Sequence, residues 1–423
     1  MANVSSKQCR RQFERHRAIS QAVAHTESRA KLRENRVNVK NSTLFDVNAL
    51  MLDAPNEIQR IADAIRRQVG GQLRRKGAVV GLSGGIDSST AAALCVEALG
   101  PTRVVGVLMP ERDSADDTLE LSRLVADRLG IETVLEDISG ILDAAGCYGR
   151  RDEAIRSVFP EFGPGCRFKI VLPDVLDGSP YRISSIVIET PDGQTVRERL
   201  PLEAYQTIVA ATNFKQRTRK MLEYYHADRL NFAVVGTPNR LEYDQGFFVK
   251  NGDGSADFKP IAHLYKTQVY QLAAHLGVPR EILDRPPTTD TYSLPQSQEE
   301  FYFSLPYDKL DACLYAKDRG FEPEAVAKVI GLTTQQVEWV YRDIDAKRRV
   351  ARYLHAAPLL VEPCSTPAPG VEQPSTTAEG GYPTCGTLAP GCEELPMTAD
   401  GAYPTHGWSI CGHPIYGWSI NGQ

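Results

Sequence analysis

The chain has 423 residues, 42% of them apolar and 24% charged, with a formal net charge of −5. That length permits a well-buried core in one α/β domain with insertions, and no run approaches the roughly 18 apolar residues of a membrane helix. Residues 1–45 carry ten Lys/Arg against three Asp/Glu, and residues 361–423 carry six acids and no Lys or Arg, so the core between them is mildly acidic and does not call for a nucleic-acid partner.

Residues 1–45 are basic and poor in large apolar side chains, and read as a disordered arm, with an RNA-binding or targeting arm left open. From Asn48, the residues Leu50, Leu52, Ile58, Ile61, Ile65 and Val69 recur at helical spacings, so a folded domain is expected over 46–355. The apolar run Ala78-Val79-Val80 then leads into Gly81-Leu82-Ser83-Gly84-Gly85-Ile86-Asp87-Ser88-Ser89 and an alanine-rich helix. This is a strand, a tight turn and a helix start, the arrangement that cradles an anion. Gly84 and Gly85 turn the backbone without a Cβ, and Ser83, Ser88 and Ser89 add hydroxyl donors. Asp87 beside a polyphosphate is useful only if a divalent cation joins them, so Mg²⁺ is expected here. Neither G-x-x-x-x-G-K-[ST] nor G-x-G-x-x-G follows the strand, which excludes the two commonest nucleotide loops.

Further strands are expected at 103–110 and 132–138, with a helix from Asp116 to Leu129 between them. Such alternation means βαβ units and a parallel sheet, with ligands bound outside the carboxyl ends of the strands. Met109 to Ser114 lies at one such end. Residues 148–210 break the alternation with strands at 168–172, 182–189 and 194–200, an inserted antiparallel excursion acting as a lid, a dimer contact or a neutral decoration. A helix opens near Asn213, a strand follows at 231–235, and it runs into Gly236-Thr237-Pro238-Asn239-Arg240-Leu241-Glu242. Residues 246–260 form a polar, Gly/Asp-rich loop of functional length. Helices are expected at 263–276, 307–315, 322–329 and 334–352, around an extended Pro286-Pro287-Thr288-Thr289-Asp290. The pair at 322–349, turning at Gly331, reads as a packing hairpin rather than a DNA reader.

Beyond Leu360 the composition collapses into Pro, Gly, Ser, Thr and acids, with Tyr382-Pro383-Thr384 and Trp408-Ser409-Ile410 each repeated once. A disordered tail with a contact sequence for a partner is expected. Cys385, Cys392, His406, Cys411 and His413 fit no familiar zinc spacing. The nine cysteines show no C-x-x-C pair, which indicates reduced thiols and a cytoplasmic protein.

The glycine loop resembles the S-G-G-x-D-S loop of the N-type ATP pyrophosphatases, which cut ATP between its α- and β-phosphates and transfer AMP to an oxygen. Further stretches narrow the resemblance: Gly236 to Glu242, Gly246-Phe247-Phe248-Val249-Lys250-Asn251-Gly252-Asp253-Gly254, Asp257-Phe258-Lys259-Pro260, Leu264-Tyr265-Lys266, Asn213-Phe214-Lys215-Gln216-Arg217 and Pro287-Thr288-Thr289-Asp290. In this order they are similar to the motif series of NAD synthetase over roughly residues 50 to 350. The resemblance implies an adenine-nucleotide α-hydrolase-like, Rossmann-like α/β fold: a parallel sheet with helices on both faces, the inserted β excursion and a helical C-terminal part. It implies a ligase that adenylates the nicotinate carboxylate of deamido-NAD with ATP and displaces AMP with ammonia. In that reading Gly81, Ser83, Gly84, Gly85, Asp87, Ser88 and Ser89 hold ATP, with Asp87 and Glu242 as the Mg²⁺ pair. Arg217, Thr237, Lys266 and Thr288 contact phosphates or ribose, and Lys250, Asp253 and Asp257 face deamido-NAD. Asp87, Lys266 and Asp253 are the catalytic candidates, Asp253 as the acceptor of an ammonium proton.

Glutamine-dependent members carry a large amidase domain ahead of this region, whereas only about 80 residues precede the loop here and Cys9 sits in the basic arm. Free ammonia, or ammonia from a separate glutaminase, is therefore expected, in a homodimer. The excursion, the Thr291-Tyr292-Ser293-Leu294 stretch and the tail depart from small ammonia-dependent members. They leave two rival readings: an amide ligase acting on a different carboxylate, and a non-catalytic scaffold on the same fold.

Overall fold

The computed structural model describes residues 45–115, 117–172, 184–289 and 291–361. The basic arm up to Leu44, the tail with its repeats, cysteines and histidines, and Cys9, Asp116, Arg182, Ile183 and Asp290 lie outside the described residues.

Four short runs make a parallel sheet: β1 (Ala78–Gly81), β2 (Val104–Leu108), β3 (Glu132–Leu135) and β7 (Ala233–Val234), in the order β3-β2-β1-β7. Register pairs Ala78 with Val104 on one side and with Ala233 on the other. Both faces of β1, β2 and β7 are covered, so these strands read as continuous apolar runs whose alternate residues serve different cores, while the edge strand β3 is largely exposed. Ala78, Val80, Val104 and Leu108 join a cluster with helices α1 (Ala54–Arg66), α2 (Ile86–Leu99) and α8 (Lys266–His275). Val79, Val107 and Val234 join the opposite one, which contains Leu142 of α4 (Ser139–Ala144), Tyr148 of α5 (Cys147–Arg156) and Ala227 of α6 (Leu202–Leu230). Helix α3 (Thr118–Leu129) covers the β2–β3 crossover and ends on Gly130, left-handed at φ 65°. The Rossmann-like fold expected from the sequence is the one observed.

The excursion is a three-stranded antiparallel sheet, β4 (Arg167–Val171), β5 (Ser185–Glu189) and β6 (Thr195–Arg199), in the order β4-β5-β6. It is shorter than expected at both ends. Residues from Tyr148 onward form α5, and α6 opens at Leu202 rather than near Asn213, running 29 residues. The reason is burial: Ala204, Ile208 and Ala211 recur at helical spacing, and the first two pack against Phe168, Ile170, Ile186 and Ile188 on the inner face of the excursion.

Short helices α7 (Arg240–Gln245) and α9 (Arg280–Leu283) flank α8, and α10 (Tyr307–Asp318), α11 (Pro323–Ile330) and α12 (Thr334–His355) complete the helical part. Val326, Val337, Val340 and Ile344 share one buried cluster with Leu310 and Leu314, so the α11–α12 pair is a packing hairpin, turned at Gly331 with φ 68°. The loop at 246–260 is less polar in effect than its composition implies: Phe258 is buried and its backbone bridges Val235, extending the sheet by one rung. Among the described residues no helix is long and apolar enough to cross a membrane.

Candidate active site

The carboxyl ends of β1, β2 and β7, together with α6, α12 and the segment 285–302, enclose a cleft of about 760 Å³, a volume suited to a small-molecule ligand. Gly81, Ser83, Gly85, Asp87 and Ser88 line it from the glycine loop. Gly84 sits at φ 67°, and a Cβ there would lie 2.8 Å from Leu121 Cβ and 3.0 Å from the Thr118 carbonyl, so glycine is required by conformation and by space. The loop is held by its own hydroxyls. Ser88 Oγ donates to the Gly85 carbonyl at 3.1 Å and accepts from the Ser83 amide at 3.3 Å. Ser89 is fully buried and donates to the same Gly85 carbonyl at 2.8 Å, so Ser89 and Gly84 shape the loop and do not face the cleft. Gly85 is the N-cap of α2 and no side chain caps that end, which leaves the first amides of a fully packed helix for an anion.

Asp87, in the first turn of α2, accepts from Asn239 Nδ2 at 3.1 Å and forms an ion pair with Lys266 Nζ. Lys266 is the first residue of α8 and is entirely buried. The carboxylate of Asp311, reaching over from α10, accepts from the Lys266 amide at 3.3 Å and the Thr267 amide at 2.7 Å, and so closes the start of α8 from outside the helix. Burial alone disfavours the Lys266 ammonium, but the Asp87 and Glu242 carboxylates outweigh it and hold its pKa above the ordinary lysine value. Glu242 is fixed by a reciprocal cap: its amide donates to Asn239 Oδ1 at 3.2 Å, and its Oε2 accepts from the Asn239 amide at 3.1 Å. Burial first, and the Asp87 charge second, push its carboxyl up to about 8. Two carboxylates and one ammonium thus converge from α2, α7 and α8 although the chain separates them widely.

Around this centre lie Thr237, after β7, and Thr288, whose backbone bridges Ser297. Arg217 is exposed on the rim, its Nε donating to the Lys250 carbonyl at 3.3 Å. Lys250 lines the cleft, but its ammonium donates to the Tyr353 and Ala356 carbonyls, at 2.9 and 3.1 Å, at the carboxyl end of α12. Asp253 also lines the cleft; its Oδ1 accepts from the Val249 amide at 2.7 Å, and burial pushes its carboxyl above the usual range. Asp257 is not brought to the cleft. Its Oδ2 accepts from the Val234 amide at 2.7 Å and its Oδ1 from the Tyr224 hydroxyl at 3.4 Å, because β7 is an edge strand and the Val234 amide, between the Ala233 and Val235 amides that bond the Gly77 and Val79 carbonyls, faces away from the ladder. Among the described residues no group of three or more His, Cys, Asp or Glu is placed to hold a metal by itself.

Several residues of the site were not singled out from the sequence. Lys220 and Glu223 of α6 are buried, pair at 2.6 Å and line the cleft; a Cβ on Gly81 would come within 2.8 Å of Glu223 Oε1. Lys215, which lines the cleft, forms with Glu111, Asp113 and Arg151 a buried charge cluster behind the cleft wall. Lys215 and Asn239 stand inside quoted motifs, and Glu111 and Asp113 lie in the Met109–Ser114 stretch, so those were findable; Asp311 and Arg151 carried no signal.

A family model described as NAD synthase matches residues 57–156 and 182–351, leaving out the stretch that contains β4. The NH(3)-dependent NAD(+) synthetase of Rhizobium meliloti is 56% identical over 324 residues, covering 77% of this chain and 97% of its own. That of Mesorhizobium japonicum is 60% identical over 311 residues, 74% of this chain and 98% of its own. Among solved structures, an NH3-dependent NAD synthetase from Campylobacter jejuni is similar over 74% of this chain and all of its own, at 22% identity and a TM-score of 0.49.

Proposed function

The chain belongs to the NAD synthase family, and from that premise we propose that this cleft carries the ATP-dependent amidation of deamido-NAD to NAD with ammonia. The protein is a ligase that forms a C–N bond. The observation that carries the reading is the convergence of Asp87, Glu242 and the buried Lys266 beside the uncapped N-terminus of α2. A binding scaffold has no use for a buried ammonium that costs desolvation and is paired with the carboxylate of the glycine loop. A different acceptor carboxylate is not favoured, since relatives 56% and 60% identical over nearly their whole length bear the same name.

In this reading the oxygen of the nicotinate carboxylate attacks the α-phosphorus of ATP, and pyrophosphate leaves. The amides at the start of α2, with Ser83 and Ser88, hold the leaving pyrophosphate, and Lys266 neutralises its developing charge. Thr237, Thr288 and Arg217 hold the rest of the nucleotide. Ammonia then attacks the acyl carbon and AMP leaves. Asp253, whose carboxyl is shifted toward neutrality, takes the proton that ammonium must lose, and Lys250 stands beside the dinucleotide. Asp257 keeps its part in closing the sheet.

Asp87 and Glu242 suit Mg²⁺: both are hard oxygen donors, one of them rides on a buried capped helix, and the high Glu242 pKa marks a place where a second positive charge is wanted. When bound, Mg²⁺ supplies charge neutralisation of the phosphates. Ammonia is taken free or from a separate glutaminase. A homodimer fits the exposed Leu202, Met221 and Tyr225 on α6, and the cytoplasm fits the free Cys95, Cys147, Cys166 and Cys313.

The test is deamido-NAD labelled with ¹⁸O in its nicotinate carboxylate. One labelled oxygen per NAD formed should appear in AMP; label in inorganic phosphate, or none in AMP, rejects the adenylation.

A further inference from the structure

We propose that Lys215 is a positioning residue that anchors the 287–298 segment over the nucleotide site, and that it makes no contact with phosphate. The proposal rests on the adenylation reading only in giving Thr288 its nucleotide.

A lysine on the wall of a phosphate-binding cleft invites assignment to the phosphates. The geometry points elsewhere. Lys215 is 2% exposed, and its ammonium donates to Glu111 Oε1 at 2.9 Å, Asp113 Oδ2 at 2.8 Å and the Thr291 carbonyl at 2.9 Å. An ammonium has three N–H donors, and all three are spent within the protein. The two carboxylates are themselves held: Tyr148 Oη donates to Glu111 Oε2 at 2.8 Å, and Arg151 Nη1 pairs with Asp113 Oδ2 at 2.5 Å. Lys215 and Arg151 thus face Glu111 and Asp113 in a buried cluster, with Arg112 Nε 4.0 Å from Asp113 Oδ1 at its outer side, and the cluster is rigid because any partial release strands a charge.

The third bond has the functional consequence. Thr291 is three residues after Thr288, and the segment is also held by β4, by itself and by side chains: the Leu294 amide donates to the Phe168 carbonyl, the Thr289 amide to the Gln296 carbonyl and the Gln298 amide to the Pro287 carbonyl, while Tyr292 bonds Thr212 of α6 and Gln298 accepts from the Tyr307 hydroxyl. Lys215 joins this segment directly to α6, the helix that carries Arg217, and to the loop after β2. This ammonium is the charged tie of the segment to α6, beside the Tyr292–Thr212 bond, and the one that also reaches the loop after β2.

The test compares the wild type with the double variant E111Q/K215M, which removes one charge of each sign and leaves Arg151 paired with Asp113. Amide hydrogen exchange without nucleotide should quicken at least tenfold at Thr289, Leu294 and Gln298 while β1 and β2 stay protected. The KM for ATP should rise about tenfold with the KM for ammonium unchanged. A raised KM for ATP with unchanged exchange overturns the proposal in favour of direct phosphate contact, and loss of protection throughout overturns it in favour of a general structural staple. The exchange measurement needs no turnover, so it holds or fails separately from the activity reading.

Discussion

Replacing Lys266 with Met removes the ammonium and keeps much of the stem volume. Two effects follow. The first is on folding: breaking a buried ion pair costs about 3–5 kcal/mol because a charge is left behind. Here the charge left behind is the Asp87 carboxylate, which loses its ion-pair partner and retains its 3.1 Å bond from Asn239. The second is on the reaction: losing one preorganised group aimed at developing charge costs about 10²–10³ in rate, or roughly 3–4 kcal/mol of transition-state stabilisation. The assay is pyrophosphate exchange into ATP in the presence of deamido-NAD, on protein whose circular dichroism shows it folded. A folded variant that exchanges within about fivefold of the wild type would refute Lys266 as the charge-neutralising group.

Two further expectations follow from the same geometry. Burial lifts the Asp311 carboxyl from 3.8 to about 6, so the native state holds that proton more tightly than the unfolded chain. The stability tied to it is present below pH 3.8 and lost as pH rises through 6, about 3 kcal/mol in all. In urea titrations at pH 4.5 and 7.5, wild type minus Asp311→Asn should therefore shift against the wild type by about 2 kcal/mol, since part of the loss has already occurred at pH 4.5; a shift of the opposite sign rejects the assignment. A chain ending at residue 361 keeps every cleft residue, the last of which is Leu354. Its steady-state rates should stay within about threefold of the full chain, and a complete loss of activity would place part of the machinery in the tail.

The glycine loop was legible because its signals are local: an apolar strand, two glycines, serines and one acid in nine positions. The parallel sheet was legible for the same reason. What could not be read was which donor each polar side chain would satisfy. Asp253 and Asp257 look alike in a polar loop, yet Val249 claims one and Val234 the other, and only the first remains in the cleft. The early start of α6 was hidden because Ala204 and Ile208 face an excursion whose own strands had to be placed first. Lys215 stood inside a quoted motif, but Glu111 and Asp113 lie 104 and 102 positions away, and nothing local announces that they use up its protons. Asp311 closing α8 is the same case over 45 positions.

The most direct measurement of the central claim is a turnover assay of the purified full chain with Mg-ATP, ammonium and deamido-NAD, reading NAD and AMP together. The account predicts NAD and AMP in equal amounts, each dependent on both other substrates. ADP in place of AMP, or AMP without NAD, would contradict it.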